Sequence, residues 1–499
     1  MKVHKKRLAK ALKLTPLALV ITLTGCAIGP DYTEPKTTIA ATYMYDHHEL
    51  VAENDYWWTQ FNDESLNQMV SDLQQQNIPI KIASQRIKMA SSYQSVVNSF
   101  KVPTVNIGAG YFNYQLSKND SLLGPALNPI GSTTPTGTPL DSVTLLDNQH
   151  DGVFAGASIG WEMDLFGRID RQANAASIRV EQAEIYRSGL NTLITADLIH
   201  NYLQYRGAQE RITLIKANLA DQEMTLKLVE KLVKSGYGSE LDLAQAQTML
   251  AATQSVIPQL EIAQQVHKQR MAMLLDEPLS QVDARLASRD TLPSIEGIIP
   301  VGLPSDLLQR RPDIRIAERE MAAVNEEVAA SIANQYPKFF LTGAPGVTAS
   351  SFDDLFNGDS VGWAAAVGVS WNIFDGGRGE AMVELNEARF NSAALAYEHS
   401  VNTAIKEVDS LLFAYGRSQQ NEQRMQQALD ASTNAVGKAE SLYKAGLINH
   451  LALLDAQRQQ RIMEDRKIAA RLQTAQVTVG LYKSLGGDWR LKSIDNDDA

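Results

Sequence analysis

The chain has 499 residues, with 46 Lys and Arg against 57 Asp and Glu, 44% hydrophobic residues and a single Cys. That length allows two to four domains of about 100–200 residues each, with enough apolar content for packed cores. One Cys excludes a disulfide scaffold and a Cys-rich metal site, and a net charge of −11 lacks the basic footprint of a nucleic-acid binder.

At the N-terminus, Lys2, Lys5, Lys6, Arg7, Lys10 and Lys13 precede a short apolar run, Leu14 to Leu23, and then small residues. This is the order of a secretory signal, with an apolar stretch too short to span a bilayer. Its end, Leu23-Thr24-Gly25-Cys26, resembles the bacterial lipobox, in which the Cys becomes the acylated first residue. Residues 1–25 are therefore expected to be removed, leaving N-acyl diacylglycerol on Cys26 and a lipid-anchored segment over 26–64. Ala27 in place of Asp favours sorting to the outer membrane. Removal takes six basic residues and no acid, moving the charge from −11 to −17. No apolar run of about 18 residues follows Cys26, so any bilayer crossing must use strands.

Downstream, the chain matches itself. At a shift of 210, Trp161, Gly167 and Arg168 fall on Trp371, Gly377 and Arg378, and Leu232, Lys234 and Gly236 fall on Leu442, Lys444 and Gly446. Upstream the shift becomes 234, so that Pro103 meets Pro337. Two repeats follow, 65–287 and 288–490, with a longer loop in the first and an acidic tail over 491–499.

Each repeat opens on a helix-spaced stretch, 65–101 or 304–335, ended by Pro103 or Pro337. A β-hairpin comes next, over 103–165 and 337–373. Val153–Leu165 and Trp363–Ile373 alternate one apolar face with one small or polar face, and Thr104–Leu116 and Lys338–Thr348 are their less regular partners. Loops 117–151 and 349–361 are rich in turn residues. Long helix pairs over 168–275 and 378–486 complete the repeats. Arg168 to Ser235 contains no Pro, and the chain after Pro345 contains none at all. Each pair turns at a glycine, Gly236 or Gly446, as an antiparallel coiled-coil hairpin does. Pro258 predicts a kink in the first returning helix.

A soluble sandwich would give similar alternation. The lipobox, the aromatic residues at strand ends and the Gly, Ala and Ser on the second face favour a membrane strand, for which roughly 9–11 residues suffice. Four strands cannot close a barrel, which needs about eight. Open edges are not tolerated in lipid, so a dimer, trimer or tetramer is required.

Cys26–Tyr32, Trp161–Arg168, Leu274–Pro278, Arg310–Ile314, Trp371–Arg378 and Leu453–Gln457 together resemble the outer-membrane factor family, the TolC-like ducts, in its OprM- and NodT-type lipoprotein branch. The resemblance covers nearly the whole mature chain. It implies a mainly α fold with a transmembrane β part, in which a homotrimer forms a 12-stranded β-barrel continued by a 12-helix periplasmic α-barrel. It further implies an outer-membrane location and a passive efflux duct with no cofactor and no catalysis. A periplasmic adaptor and an inner-membrane pump would be its partners, with outer-membrane lipid around it and no nucleic acid.

The same resemblance places a gate at Leu451 and Asp455, four apart on one helix face, and adaptor-contact tips near Gly236 and Gly446. Three copies of Asp455 would form an acidic ring favouring cations. Arg458 is a candidate partner for Asp455. Asp242, offset by three from Gln245, the repeat equivalent of Asp455, is a further candidate. Taken alone, Asp455 reads as a solvated surface carboxylate. The other class of function is a non-conducting structural envelope lipoprotein. Gly156-Ala157-Ser158-Ile159-Gly160 matches the G-x-S-x-G pattern, but Ser158 lies inside an alternating strand rather than on a strand-to-helix turn, so no catalytic site is expected. The eight His residues are scattered or adjacent, and no metal site is expected either.

Overall fold

The computed structural model describes residues 28–35, 39–45, 56–119, 148–287, 289, 291–293 and 304–487. Signal segment 1–25, Cys26, most of loop 117–151 and tail 491–499 lie outside the described residues. The chain divides into two compact units. One comprises Met1–Tyr32, Ser91–Ser177 and Ala323–Phe390; the other comprises Thr33–Ala90, Ile178–Ala322 and Asn391–Ala499.

The first unit is built on one antiparallel sheet of β1 (Thr104–Gln115), β2 (Gln149–Met163), β3 (Lys338–Ala349) and β4 (Val361–Ser370), in that order. Register sets the chemistry of its faces, because directly paired residues point to the same side. Ile107 pairs with Ala157, Val105 with Ile159, Trp161 with Leu341, and Leu341 with Val367. Over most of their length the four strands thus present their apolar sets to one face, but near the β1–β2 loop Phe112, Tyr114 and Phe154 stand on the other, with Asn113 and Asp151 on the first. The opposite face carries Asn106 against Ser158, Gly108 against Gly156, and Thr342 against Ala366. The apolar face is open: Ile107 is 88% and Trp363 79% exposed. The outer edges of β1 and β4 have no strand partner among the described residues.

The strand ends differ from the sequence expectation. β2 begins at Gln149, four residues early, and β4 stops at Ser370, before Trp371 and Ile373. Pairing between β2 and β3 skips Ala157 and Ser158, opposite Ala344 and Pro345, because Pro345 has no N–H to give. The irregularity at Tyr111–Phe112 is a change of phase within an unbroken β1, which moves the large residues from Tyr111 on one face to Phe112 and Tyr114 on the other. Loop 349–361 holds two short 3-10 turns, Asp353–Phe356 and Gly358–Ser360.

The duplication recurs as geometry. Trp161 donates its ring N–H to the Lys101 carbonyl at 3.1 Å, and Trp371 does the same to Gln335 at 2.9 Å. Each indole ties the foot of a strand to the end of the helix before it.

The helices are α1 (Glu64–Gln76), α2 (Ile78–Ser99), α3 (Arg168–Lys234), α4 (Glu240–Gln254), α5 (Val256–Leu275), α6 (Leu279–Leu286), α7 (Asp306–Arg310), α8 (Pro312–Ala333), α9 (Arg378–Lys444) and α10 (His450–Ser484). α3 and α9 are each 67 residues long and start 210 apart. At 1.5 Å per residue each reaches about 100 Å.

Stretch 65–101 is two helices, not one. Asn77 ends α1 and caps α2 by accepting from the Ile80 N–H, while Pro79 can stand only in a first turn. Stretch 304–335 likewise divides at Pro312, the first residue of α8. The first returning arm is interrupted for one residue at Ser255, three before Pro258, where the backbone stays in the helical region, so the expected kink is a local irregularity. Pro258 sits in the first turn of α5, where its missing N–H is harmless.

The second unit has the larger core. A 3-10 turn, Trp57–Phe61, brings Trp57, Trp58 and Phe61 into one core with residues of α1, α3, α5, α9 and α10. Trp57 stacks on Tyr482 at 4.6 Å, and Tyr202 donates to Asp63 at 2.5 Å. Each large apolar side chain buried here contributes about 1.5–3 kcal/mol. This aromatic knot drew no attention at the level of sequence, because Trp57 and Trp58 belong to no periodic pattern.

Candidate functional site

Both turns at the ends of the long helices have one design. After α3, the Gly236 N–H donates to Val233 and the Tyr237 N–H to Leu232; after α9, Gly446 donates to Tyr443 and Leu447 to Leu442. This paired return of N–H groups closes a helix only if the intervening residue turns left-handed. Gly236 and Gly446 do so, at φ +78° and +70°. Three residues after each glycine the chain re-enters a helix: Ser239 accepts from the Asp242 N–H, and Asn449 from the Ala452 N–H. The tips expose Tyr237 and Leu447, at 86% and 71%.

Leu451 and Asp455 lie on one face of α10, and both line a groove with Arg458. Arg458 pairs with Asp455 at 2.6 Å, and both side chains are exposed. Gln245 of α4 lines the same groove. Asp242 is placed otherwise. Its carboxylate accepts from the Ser239 hydroxyl at 2.8 Å and backbone N–H at 3.3 Å, completing a capping box at the start of α4. His450, the first residue of α10, stacks obliquely against Tyr443 at 5.3 Å. Burial pushes its pKa below the ordinary value, opposed in part by the Asp242 charge.

The groove has a volume of about 1100 Å³ and is walled by α3, α4 and α10. Two of its residues, Gln222 and Arg461, carried no sequence signal. Each is an ordinary polar residue on a long helix, and only packing shows that its polar atoms are enclosed.

Ser158 stands mid-strand opposite Asn106, with no nucleophile elbow. Among the described residues no cluster of three or more His, Cys, Asp or Glu could hold a metal, and no helix is long and apolar enough to cross a membrane.

A family model described as outer membrane efflux protein matches residues 69–276 and 303–487. The chain is 28% identical over 488 residues to the solvent efflux pump outer membrane protein SrpC of Pseudomonas putida, covering 96% of this chain and 98% of that protein. It is 27% identical over 483 residues to the outer membrane protein OprJ of Pseudomonas aeruginosa, covering 96% of each. The solved outer-membrane channel OprN superposes with a TM-score of 0.81 at 31% identity, over 93% of this chain and all of that one.

Proposed function

The chain belongs to the outer membrane efflux protein family, and on that premise we propose how this outer-membrane channel is assembled, gated and joined to its pump. The protein conducts and does not catalyse, as a member of a family of efflux-channel components of tripartite pumps. The observation that carries the assembly is the open sheet, with one mainly apolar face and unpaired outer edges on β1 and β4. In lipid such edges must be paired. Edge β1 of one copy meets edge β4 of the next, and three copies give a closed barrel of 12 strands, above the minimum of about eight. A non-conducting tether would need no such sheet.

In this reading the apolar face meets lipid, and the other face, small and polar apart from Phe340 and the Phe112, Tyr114 and Phe154 cluster near the β1–β2 loop, lines the bore. The long helices extend the bore into the periplasm, where the tips at Gly236 and Gly446 engage a periplasmic adaptor fed by an inner-membrane pump. Leu451 and Asp455 form an apolar and an acidic ring, and the Arg458 pair holds Asp455 in the closed state. An iris-like outward movement of the tips opens them. Asp242 serves its capping box first, which argues against a gate role. Cys26 carries the lipid. In support, the Ile28 N–H donates to the Phe166 carbonyl at 3.2 Å, and the Phe166 ring packs on Tyr336 at 5.0 Å, so the chain two residues after Cys26 is held at the foot of the sheet.

Planar-bilayer recordings of the purified assembly test this directly. A cation-preferring current is expected, and Asp455→Ala should raise single-channel conductance about twofold while weakening the cation preference. A protein that carries no current would overturn the duct, and an unchanged current in the variant would overturn the gate.

A further inference from the structure

Two residues that line the groove beside Asp455, Arg461 and Gln222, each carry a buried polar atom without a hydrogen-bond partner among the described residues. Arg461 Nη1 is buried and has no hydrogen-bond partner among the described residues. Gln222, 6% exposed, donates its Nε2 to Thr253 at 3.1 Å and leaves its Oε1 buried without a donor. Around them the wall is largely apolar, with Leu214, Ile215 and Met249 contributing. The remaining charges are mostly committed elsewhere. Asp455 is held by Arg458, and Asp465 by Arg211 at 2.6 Å. Asp221 and Glu464 act on Arg461 only through space. Burial lowers the Arg461 pKa for want of a contacting carboxylate. An enclosed cationic donor and an enclosed acceptor, both unmatched, in an apolar recess together describe what would satisfy them.

We propose that this groove binds an amphipathic organic anion. Its carboxylate or sulfonate would meet Arg461 Nη1, a hydroxyl or amide N–H would donate to Gln222 Oε1, and its apolar body would lie on Leu214, Ile215 and Met249. A cation is disfavoured by Arg461, and a neutral molecule leaves the guanidinium unmatched. The inference rests on the duct reading for access, because Leu451 and Asp455 of the proposed gate line the same groove. An anion seated there would touch both repeats and stand next to the Asp455–Arg458 pair.

The probe is 6-hydroxy-2-naphthoate, a fluorescent, water-soluble anion that carries a hydroxyl, titrated against the full-length assembly in lipid nanodiscs and read by anisotropy. Saturable binding is expected, weakened at least tenfold in Arg461→Gln and about threefold in Gln222→Leu. The neutral 6-hydroxy-2-naphthamide should bind the unaltered protein at least tenfold more weakly, a comparison that needs no variant to fold. Ala252→Phe, which fills the groove and leaves Arg461 in place, should abolish binding. Equal affinity for acid and amide, or equal affinity of the Arg461→Gln protein, overturns the proposal. So does the absence of saturable binding, which is the outcome if a helix of an adaptor or of a neighbouring copy fills the groove. Bilayer currents separate the two readings: binding without conductance overturns the duct and leaves the site, and conductance without binding does the reverse.

Discussion

The two repeats leave their tips from the same turn and return along different arms. In the second, α10 runs unbroken for 35 residues from His450 to Ser484. In the first, a one-residue interruption at Ser255, just before Pro258, sets off the 15-residue α4 next to the tip. The short arm is anchored by the full Ser239–Asp242 box, whereas the long one starts on Asn449 alone, with Ala452 where the first repeat has Asp242. Duplication thus preserved the turn and let the acids separate in role. Asp242 is engaged in starting a helix, and Asp455, one turn further along, is held only by an exposed arginine.

The strongest way to break this comparison is to give the second arm the first arm's proline. Ile468 is the repeat equivalent of Pro258 and is 7% exposed. Ile468→Pro should cost at least about 3 kcal/mol in urea unfolding, because it removes an interior N–H and clashes with the preceding turn. A smaller loss would mean that α10 is as divisible as the first arm. Next, Gly236→Val and Gly446→Val should each cost about 1–2 kcal/mol in thermal unfolding, since a branched residue resists the left-handed region. Markedly unequal losses would show that the two turns are not energetic equivalents.

Asp242→Ala sharpens the division of roles. It should cost about 1 kcal/mol by loss of the cap and leave channel conductance unchanged, in contrast to Asp455→Ala. A rise in current would restore Asp242 to the gate. The smallest effect concerns acid. With its folded pKa held below the unfolded one, His450 contributes stability that is full at neutral pH and is lost as pH falls below about 6.5, where the unfolded chain takes the proton first. Hydrogen exchange of the Leu447–Ala452 amides, corrected for intrinsic rates, should therefore speed about threefold between pH 7.5 and 5.5, and less in His450→Gln. An equal response in both proteins would locate the titration elsewhere.

Much of this was open to reading because the elements are long and regular. Two proline-free stretches gave helices of equal length, and period-two alternation located all four strands within a few residues. The misreadings fall where one residue decides locally. Pro79 and Pro312 set helix starts that a long periodic pattern hides, and Pro345 interrupts one ladder without ending its strand. At the tip, the turn glycines followed from the self-match of the chain, whereas Asp455 and Arg458 stood out only through the family resemblance. The capping duty of Asp242 followed from neither, because any acid near a helix start can either cap or face solvent.

The sequence by itself determined the duplication, the order of helices and hairpins, and the need for more than one copy, because these rest on periodicity, proline and strand count along the chain. Tertiary structure alone decided that four apolar strand faces align on one side, that Trp57 stacks on Tyr482 across more than 400 residues, and that Arg461 and Gln222 are enclosed without partners. Register and enclosure depend on which distant segments pack together, and that pairing is a property of the folded chain that no local pattern encodes.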